Sequence, residues 1–282
     1  MLRPLPPDRF ACLLPLVHSD HLELVLEAVV AGNAPGLVWA DDDAAPSGFL
    51  VWDKAYNVYV GSSPEVAAPD ASRRSAFGSA AARLLATELV PVMQRRRQDI
   101  FLLTSDDDAP AAMLDGLAEL ERRAVERAFY RRRPAPAPPW RDRVPADCSV
   151  RRIDAELLAR QDLPNVQRLR DEIELCWNSA SAFLEVGFGF CLLHEETLVS
   201  WCTGEYFSVG KCGIGIETVE SHQRRGYATL TASAFVDHCL AEGRTAHWDS
   251  WAANEPSIRT AEKLGFELVE RYSTLVFDLP TA

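Results

Sequence analysis

Gly213-Ile-Gly-Ile-Glu-Thr-Val-Glu-Ser-His-Gln-Arg-Arg-Gly-Tyr-Ala-Thr229 decides how the rest of the chain is read. Its first six residues alternate, so Ile214, Ile216 and Thr218 share one face of a strand while Gly213, Gly215 and Glu217 share the other. The apolar set suits a covering helix. The opposite face is almost bare backbone with one carboxylate set into it. After a short turn Gly226 opens a helix, and Ala228, Ala232, Phe235, Val236, Cys239 and Leu240 keep helical spacing along it. A strand that turns directly into a helix start presents unpaired N–H groups at the positive end of a helix dipole, which suits a pyrophosphate. Gly226 lets a phosphate approach the backbone, Ala228 keeps the path open, and Arg224 and Arg225 add positive charge. Glu217 is the candidate to take the proton of an attacking amine. The competing reading makes it a strand carboxylate paired with an arginine.

Outward from this stretch the pattern alternates. A strand at Ser149–Ile153, a helix through Val166, Leu169, Ile173 and Trp177, a hairpin over Phe188–Phe207 and the strand Cys212–Val219 precede Gly226. The Gly226 helix ends at Gly243, and a strand at His247–Trp251, a helix at Pro256–Leu264 and closing strands at Phe266–Leu279 come after it. The order βαβββαβαβ predicts a mixed α/β domain over residues 149–282. Four prolines in the six residues 134–139 predict a spacer, so 134–148 is taken as a linker and 1–133 as a separate N-terminal α/β domain. There the reading is three strands within 36–60, a helix at Ala76–Gln94, a strand at Asp99–Leu103 and a helix at Ala111–Arg127, the order found after residue 188. Its first long helix is preceded by Pro69 and Asp70, and Ser75 stands three residues before Gly78, so no phosphate cradle is expected in this half.

The chain has 282 residues, with 41 acidic against 29 basic side chains and a net charge of -12. Such a surface repels nucleic acid and anionic membrane and favours a cationic small molecule as partner. Seven cysteines without Cys-x-x-Cys spacing read as free thiols of a reducing, cytoplasmic compartment. No run of 18 apolar residues and no leader pattern is present in the sequence, so no membrane association is expected. His18-Ser-Asp-His21 lacks zinc-site spacing and the aspartate runs at 41–43 and 106–108 lack the pattern of calcium loops, so no metal is expected.

Gln223, Gly226 and Ala228 meet the Gln/Arg-x-x-Gly-x-Gly/Ala loop of the GNAT superfamily of acyl-CoA-dependent N-acyltransferases, and the segment resembles it. Asn254-Glu-Pro-Ser-Ile-Arg-Thr-Ala-Glu-Lys-Leu-Gly-Phe266 is similar to that superfamily's second signature. Ile214-Gly-Ile-Glu-Thr218, Trp248-Asp249 and Leu264-Gly-Phe266 resemble the branch that includes the zwittermicin-resistance acetyltransferases. The resemblance implies a GNAT fold in the C-terminal half and acetyl transfer from acetyl-CoA to a primary amine, as of an antibiotic or amino-polyol, while the repeated element order predicts a degenerate GNAT-like N-terminal half. It further implies that Ile216, Glu217 and Thr218 line the pantetheine arm and that Arg224, Arg225, Gly226, Tyr227, Ala228 and Thr229 cradle the pyrophosphate, with Gln223, Asn254 and Ser257 as further cofactor contacts. Ala261 stands where many relatives carry a tyrosine, so the acid for the leaving thiolate stays open among Ser257, Ser250, Tyr272 and none. A non-catalytic acyl-CoA sensor and a tandem aminoacyltransferase using aminoacyl-tRNA are the competing functions.

Overall fold

The computed structural model describes residues 1–62, 71–106 and 109–280, which form two compact units. The first comprises Met1–Val30, Pro35–Glu126 and Tyr272–Ala282; the second comprises Ala31–Ala34 and Arg127–Arg271.

In the first unit, β1 (Arg3–Pro4), β2 (Leu37–Ala40), β3 (Gly48–Trp52) and β4 (Asn57–Ser62) are antiparallel neighbours. Helix α1 (Asp20–Val30) precedes β2. Helix α2 (Ala71–Leu84) runs through a π turn at Leu85–Leu89 into α3 (Val90–Arg95), and the chain returns as β5 (Ile100–Ser105), parallel to β4. Leu50, Trp52, Val58, Val60, Phe77, Leu85, Met93, Phe101 and Leu103 form its core. Ser72–Arg95 is long and apolar enough to cross a membrane by length and composition, but half of its most apolar window is buried in the unit, as in a core helix. Gly78 lies inside α2, where an added Cβ would meet Pro110 Cβ at 2.7 Å, so it serves helix packing. Pro69 and Asp70 lie outside the described residues.

The second unit repeats the order. β7 (Cys148–Arg152), β8 (Gly189–His194), β9 (Thr197–Glu205) and β10 (Lys211–Thr218) are antiparallel neighbours. Helices α5 (Ala155–Ala159), α6 (Val166–Cys176) and α7 (Ala180–Val186) fill the span between β7 and β8. Helix α8 (Tyr227–Ala241) leads to β11 (Thr245–Trp251), parallel to β10, and α9 (Glu255–Lys263) leads to β12 (Phe266–Asp278). The C-terminal half thus has the expected mixed α/β order.

Two segments depart from the sequence reading. The helix expected over 111–127 is only α4 (Ala111–Asp115). At its end, Gly116 sits so close to α2 that a Cβ would meet Ala82 Cβ at 2.6 Å. The chain then continues as the long strand β6 (Arg122–Arg132), because pairing with β11 and burial of Ala128, Phe129 and Tyr130 outweigh local helical preference. The proline-rich segment is not the divide between units. Apart from Ala31–Ala34, the chain passes from the first unit to the second within β6 and returns within β12. Residues 134–148 belong to the second unit, where the Asp237 carboxylate of α8 accepts bonds from Trp140 Nε1 at 2.8 Å and the Ala137 amide at 3.3 Å. Arg132 donates to the carbonyls of Arg133, Ala135 and Pro136.

Each unit is therefore closed by a strand from the other half of the sequence. In the first, Thr274–Asp278 pairs antiparallel with β5; in the second, Arg127–Arg131 pairs antiparallel with β11. Phe277 is fully buried and stacks on Phe101 at 4.7 Å. Phe277→Ala should cost about 3–5 kcal/mol, read as an earlier urea transition of the first unit; an unchanged midpoint would show that the C-terminal strand does not support it.

Candidate active site

The β10–β11 ladder has rungs at Lys211/Thr245, Cys212/Ala246 and Gly213/His247 and then stops, although β10 continues to Thr218 and β11 to Trp251. On its other side β10 stays paired with β9 through Thr218. Beyond Gly213 the two parallel strands diverge, and one edge of β10 over 214–218 is left without a strand partner. An edge of this kind offers backbone N–H and C=O groups to an extended, amide-bearing ligand.

The opening leads into a cleft of about 500 Å³. It is lined by 216–218, Gln223, Arg224, 226–229, Asn254 and Ser257, so every expected cofactor position except Arg225 is brought together. The Arg225 guanidinium instead reaches the Ser221 carbonyl at 3.4 Å. Trp248 lines the cleft as well, and so do His222, Pro256, Thr260 and Lys263, which the sequence reading does not name as site residues. The Lys-x-Gly-Phe ending at Phe266 carried the signal for Lys263; for His222 and Thr260 the sequence holds none.

The local folding comes from the residues. Gly226 has φ +84 and caps α8, and a Cβ there would meet no heavy atom within 4 Å, so glycine is required by the backbone and the space before the helix stays open. Arg224, at φ 62, makes the bend before it. Gln223 Nε2 donates to the Thr218 carbonyl at 3.2 Å, tying the loop to the end of the strand. Thr218 Oγ1 is 2.8 Å from Ser200 Oγ, so its side chain is turned away from the cleft and its backbone faces it. On the far wall the Asn254 side chain caps α9 by accepting from the Ser257 amide at 3.3 Å, and Trp248 Nε1 bonds Ser257 Oγ at 3.0 Å.

The predicted alternation is realised, and the other face of β10 is not empty. Register places Trp201, Thr203 and Glu205 of β9 beside Glu217, Gly215 and Gly213. Glu217 is ion-paired with Arg168 of α6, an arginine partner of the kind that the competing reading of this carboxylate expects. Arg168 lies 5.9 Å over the Trp201 ring, and Trp201 Nε1 donates to Glu172 at 2.5 Å. A Cβ on Gly215 would collide with the Glu205 carboxylate, which explains the glycine. Burial pushes Glu205 up to about 7, above the usual carboxylate range. Asp249 on β11 bonds Arg127 of β6 at 3.1 Å, and Arg127 lies 4.4 Å over the Trp251 ring.

The sequence profile of the GNAT acetyltransferases matches residues 14–275. The chain belongs to the GNAT acetyltransferase family. A Bacillus subtilis (strain 168) protein named as an uncharacterized N-acetyltransferase, YdfB, is 24% identical over 273 residues, with 97% of each chain covered. A GCN5-related N-acetyltransferase-like protein from Streptococcus suis 89/1591 has a similar fold, with a TM-score of 0.68 at 16% identity over 96% of this chain and 98% of its own. A tandem GNAT protein from the clavulanic acid biosynthesis pathway covers 100% of this chain and 99% of its own, with a TM-score of 0.58 at 14% identity. The two repeated halves fit that tandem GNAT arrangement. GNAT acetyltransferases use acyl-CoA, and this chain offers what such a ligand needs: an unpaired strand edge, a left-handed glycine with open space beside it, and a helix N-terminus.

Of the candidate acids in this GNAT site, Ser257 alone lines the cleft; Ser250 is buried, and Tyr272 belongs to the first unit, stacked 3.7 Å from His21. Ala261 is fully buried, so the position offers the cleft no side chain. His247, on the last rung before the strands diverge, is buried against Phe129 at 5.2 Å, and burial pushes it down to about 4. Because the folded value lies below the unfolded one, the unfolded chain binds the extra proton. The contribution is complete above about pH 6.5 and is lost as pH falls towards 4, by about 3 kcal/mol in all. His247→Phe should flatten that part of the stability profile, measured as urea midpoints at pH 7.5, 5.5 and 4; parallel profiles would overturn the assignment.

Proposed function

We propose that this chain transfers the acetyl group of acetyl-CoA to a primary amine of a small cationic molecule in the cytoplasm. The observation that carries this reading is the divergence of β10 from β11 into a cleft that ends at the N-terminus of α8. Acetyl-CoA would supply an activated thioester. The edge of 216–218 would hold the pantetheine arm in strand fashion, and the free amides of 227–229, with Arg224, would hold the pyrophosphate. Gln223, Asn254, Ser257 and Lys263 would complete the cradle. Arg225, which does not line the cleft, would act on the pyrophosphate only through its charge.

The chemistry then requires a neutral amine on the other side of the opening. Glu217 stands there in its ion pair with Arg168, which suits it to hold and orient an amine. The net charge of -12 fits a cationic acceptor and disfavours aminoacyl-tRNA. The carboxylates facing the open strand argue for catalysis over mere sensing of acyl-CoA. The zwittermicin-resistance branch, carried by Ile214-Gly-Ile-Glu-Thr218 and Trp248-Asp249, makes an amino-polyol antibiotic the acceptor class to try first.

The first unit would have no cofactor of its own. Its parallel pair, β4 and β5, keeps rungs from Asn57/Leu102 to Val60/Ser105, leaving only the last two residues of β4 beyond the ladder. A Cβ on Gly61 would collide with the Phe49 ring, so an aromatic side chain fills that face. Calorimetry should therefore give one CoA per chain. Gly226→Asp, which strains a left-handed position and sets a charge against the phosphates, should weaken binding at least about a hundredfold, near 2.7 kcal/mol. Two sites per chain, or unchanged affinity, would overturn this reading.

A further inference from the structure

We propose that Glu205, at the end of β9, is the group that takes the proton from the acceptor's ammonium, and that Glu217 positions the acceptor rather than deprotonating it. This rests on the reading of the cleft as an acetyl-CoA site.

The geometry starts from register. Glu205 pairs with Gly213, and Thr203 with Gly215, so the Glu205 side chain emerges on the bare face of β10. Its carboxylate leans along the strand over Gly215, in space that any larger residue there would occupy. Gly215, over which it lies, immediately precedes Ile216, where the cleft lining begins, in the stretch where β10 has lost its β11 partner, and Glu205 itself stands behind that lining. Glu217 is two residues further along the same face, but its carboxylate is engaged by the Arg168 guanidinium. A guanidinium partner stabilises the charged carboxylate and so weakens it as a base, while leaving it lone pairs with which to hold an ammonium.

The surroundings set the basicity. Glu172 and Cys176 face Glu205 from α6, Asp249 from β11, Arg127 from β6 and Cys202 from its own strand. Burial is the largest influence and raises Glu205; the hydrogen bond from Cys176 lowers it, the charges of Glu172 and Asp249 raise it, and Arg127 lowers it. The resulting value of about 7 is matched to proton transfer near neutral pH. Ionised, Glu205 accepts one proton from R–NH3+. The freed nitrogen lone pair forms the bond to the thioester carbonyl carbon, the carbon–sulfur bond breaks, and the departing sulfur takes a second proton from nitrogen. The second transfer leaves the amide and free CoA thiol. The rate therefore rises with pH as Glu205 ionises.

The test uses the full-length chain labelled with [5-13C]glutamate, with CoA affinity of every variant measured by calorimetry. One side-chain carboxyl should titrate near pH 7, disappear in Glu205→Gln, and move to lower pH when CoA and n-butylamine are added together; CoA with 1-butanol should leave it in place. With acetyl-CoA and whichever primary amine of a panel releases thiol fastest, Glu205→Gln should lower turnover by roughly 10²- to 10⁴-fold and remove the rise near pH 7. Glu217→Gln should act mainly on the KM for the amine. A carboxyl that titrates below pH 5.5 and ignores the amine, or a Glu205→Gln enzyme within threefold of the parent, would refute the assignment while leaving the cofactor reading intact. Loss of CoA binding by the unmutated chain would instead bring down the cleft reading, and this assignment with it.

Discussion

A parallel ladder that stops after three rungs is the constraint on which the second unit depends. Two strands leaving a common rung must either stay paired or expose backbone groups along the gap, and exposed groups need a partner. Here β10 keeps β9 on one side and gives up β11 on the other, so the gap is one-sided and held open by a sheet that is otherwise continuous. His247 occupies the last rung with its ring buried against Phe129. On the far side Trp248 is packed on Phe266 and bonded to Ser257, which fixes β11 and the first turn of α9 together as the opposite wall. The opening is a property of packed strands, not of loops.

Glycine serves two different ends within fourteen residues of this opening. Gly226 is required by its backbone, which lies where side-chain-bearing residues are strained, and it leaves the start of α8 clear. Gly215 has no such conformational demand; its missing side chain is space taken by the Glu205 carboxylate. Gly215 stands beside a half-buried acid whose carboxylate fills the space a side chain there would take. The face that looked bare in the sequence is therefore furnished from the neighbouring strand.

That distinction shows what was legible in one dimension. The strand, turn and helix from 213 to 229 could be read because their meaning is local: alternation, a left-handed glycine and a helix start all lie within one window. Asn254 was legible for the same reason, as the cap of a short helix, whereas the motif that ends that helix contains Lys263 without marking it as part of the cleft wall. Glu205 was not, since nothing near it in sequence says that it lies against Gly215 on another strand. The Arg168 partner of Glu217 was foreseen only as a type, because its helix lies 49 residues earlier and its reach across the sheet is a tertiary fact. Arg225 was misplaced by adjacency, as the left-handed bend at Arg224 sends consecutive side chains apart.

The unit boundary failed to show for a related physical reason. Prolines in 134–139 argue against helix, and an extended segment looks like a spacer until its hydrogen-bonding partners are known. Those partners include one carboxylate, Asp237, and the guanidinium of Arg132, which together bind the extended run to α8 and to the end of β6. Apart from the four residues Ala31–Ala34, the crossings lie inside long strands, where composition does not change: Glu126 and Arg127 belong to different units, as do Arg271 and Tyr272. A strand is the one element that can be handed from one half of a tandem chain to the other at little cost, because its ladder bonds are made by backbone and accept any sequence that alternates suitably. The local order of each half thus survives intact in the sequence, while the identity of the strand that closes it can be known only from the register of Thr274–Asp278 on β5 and of Arg127–Arg131 on β11.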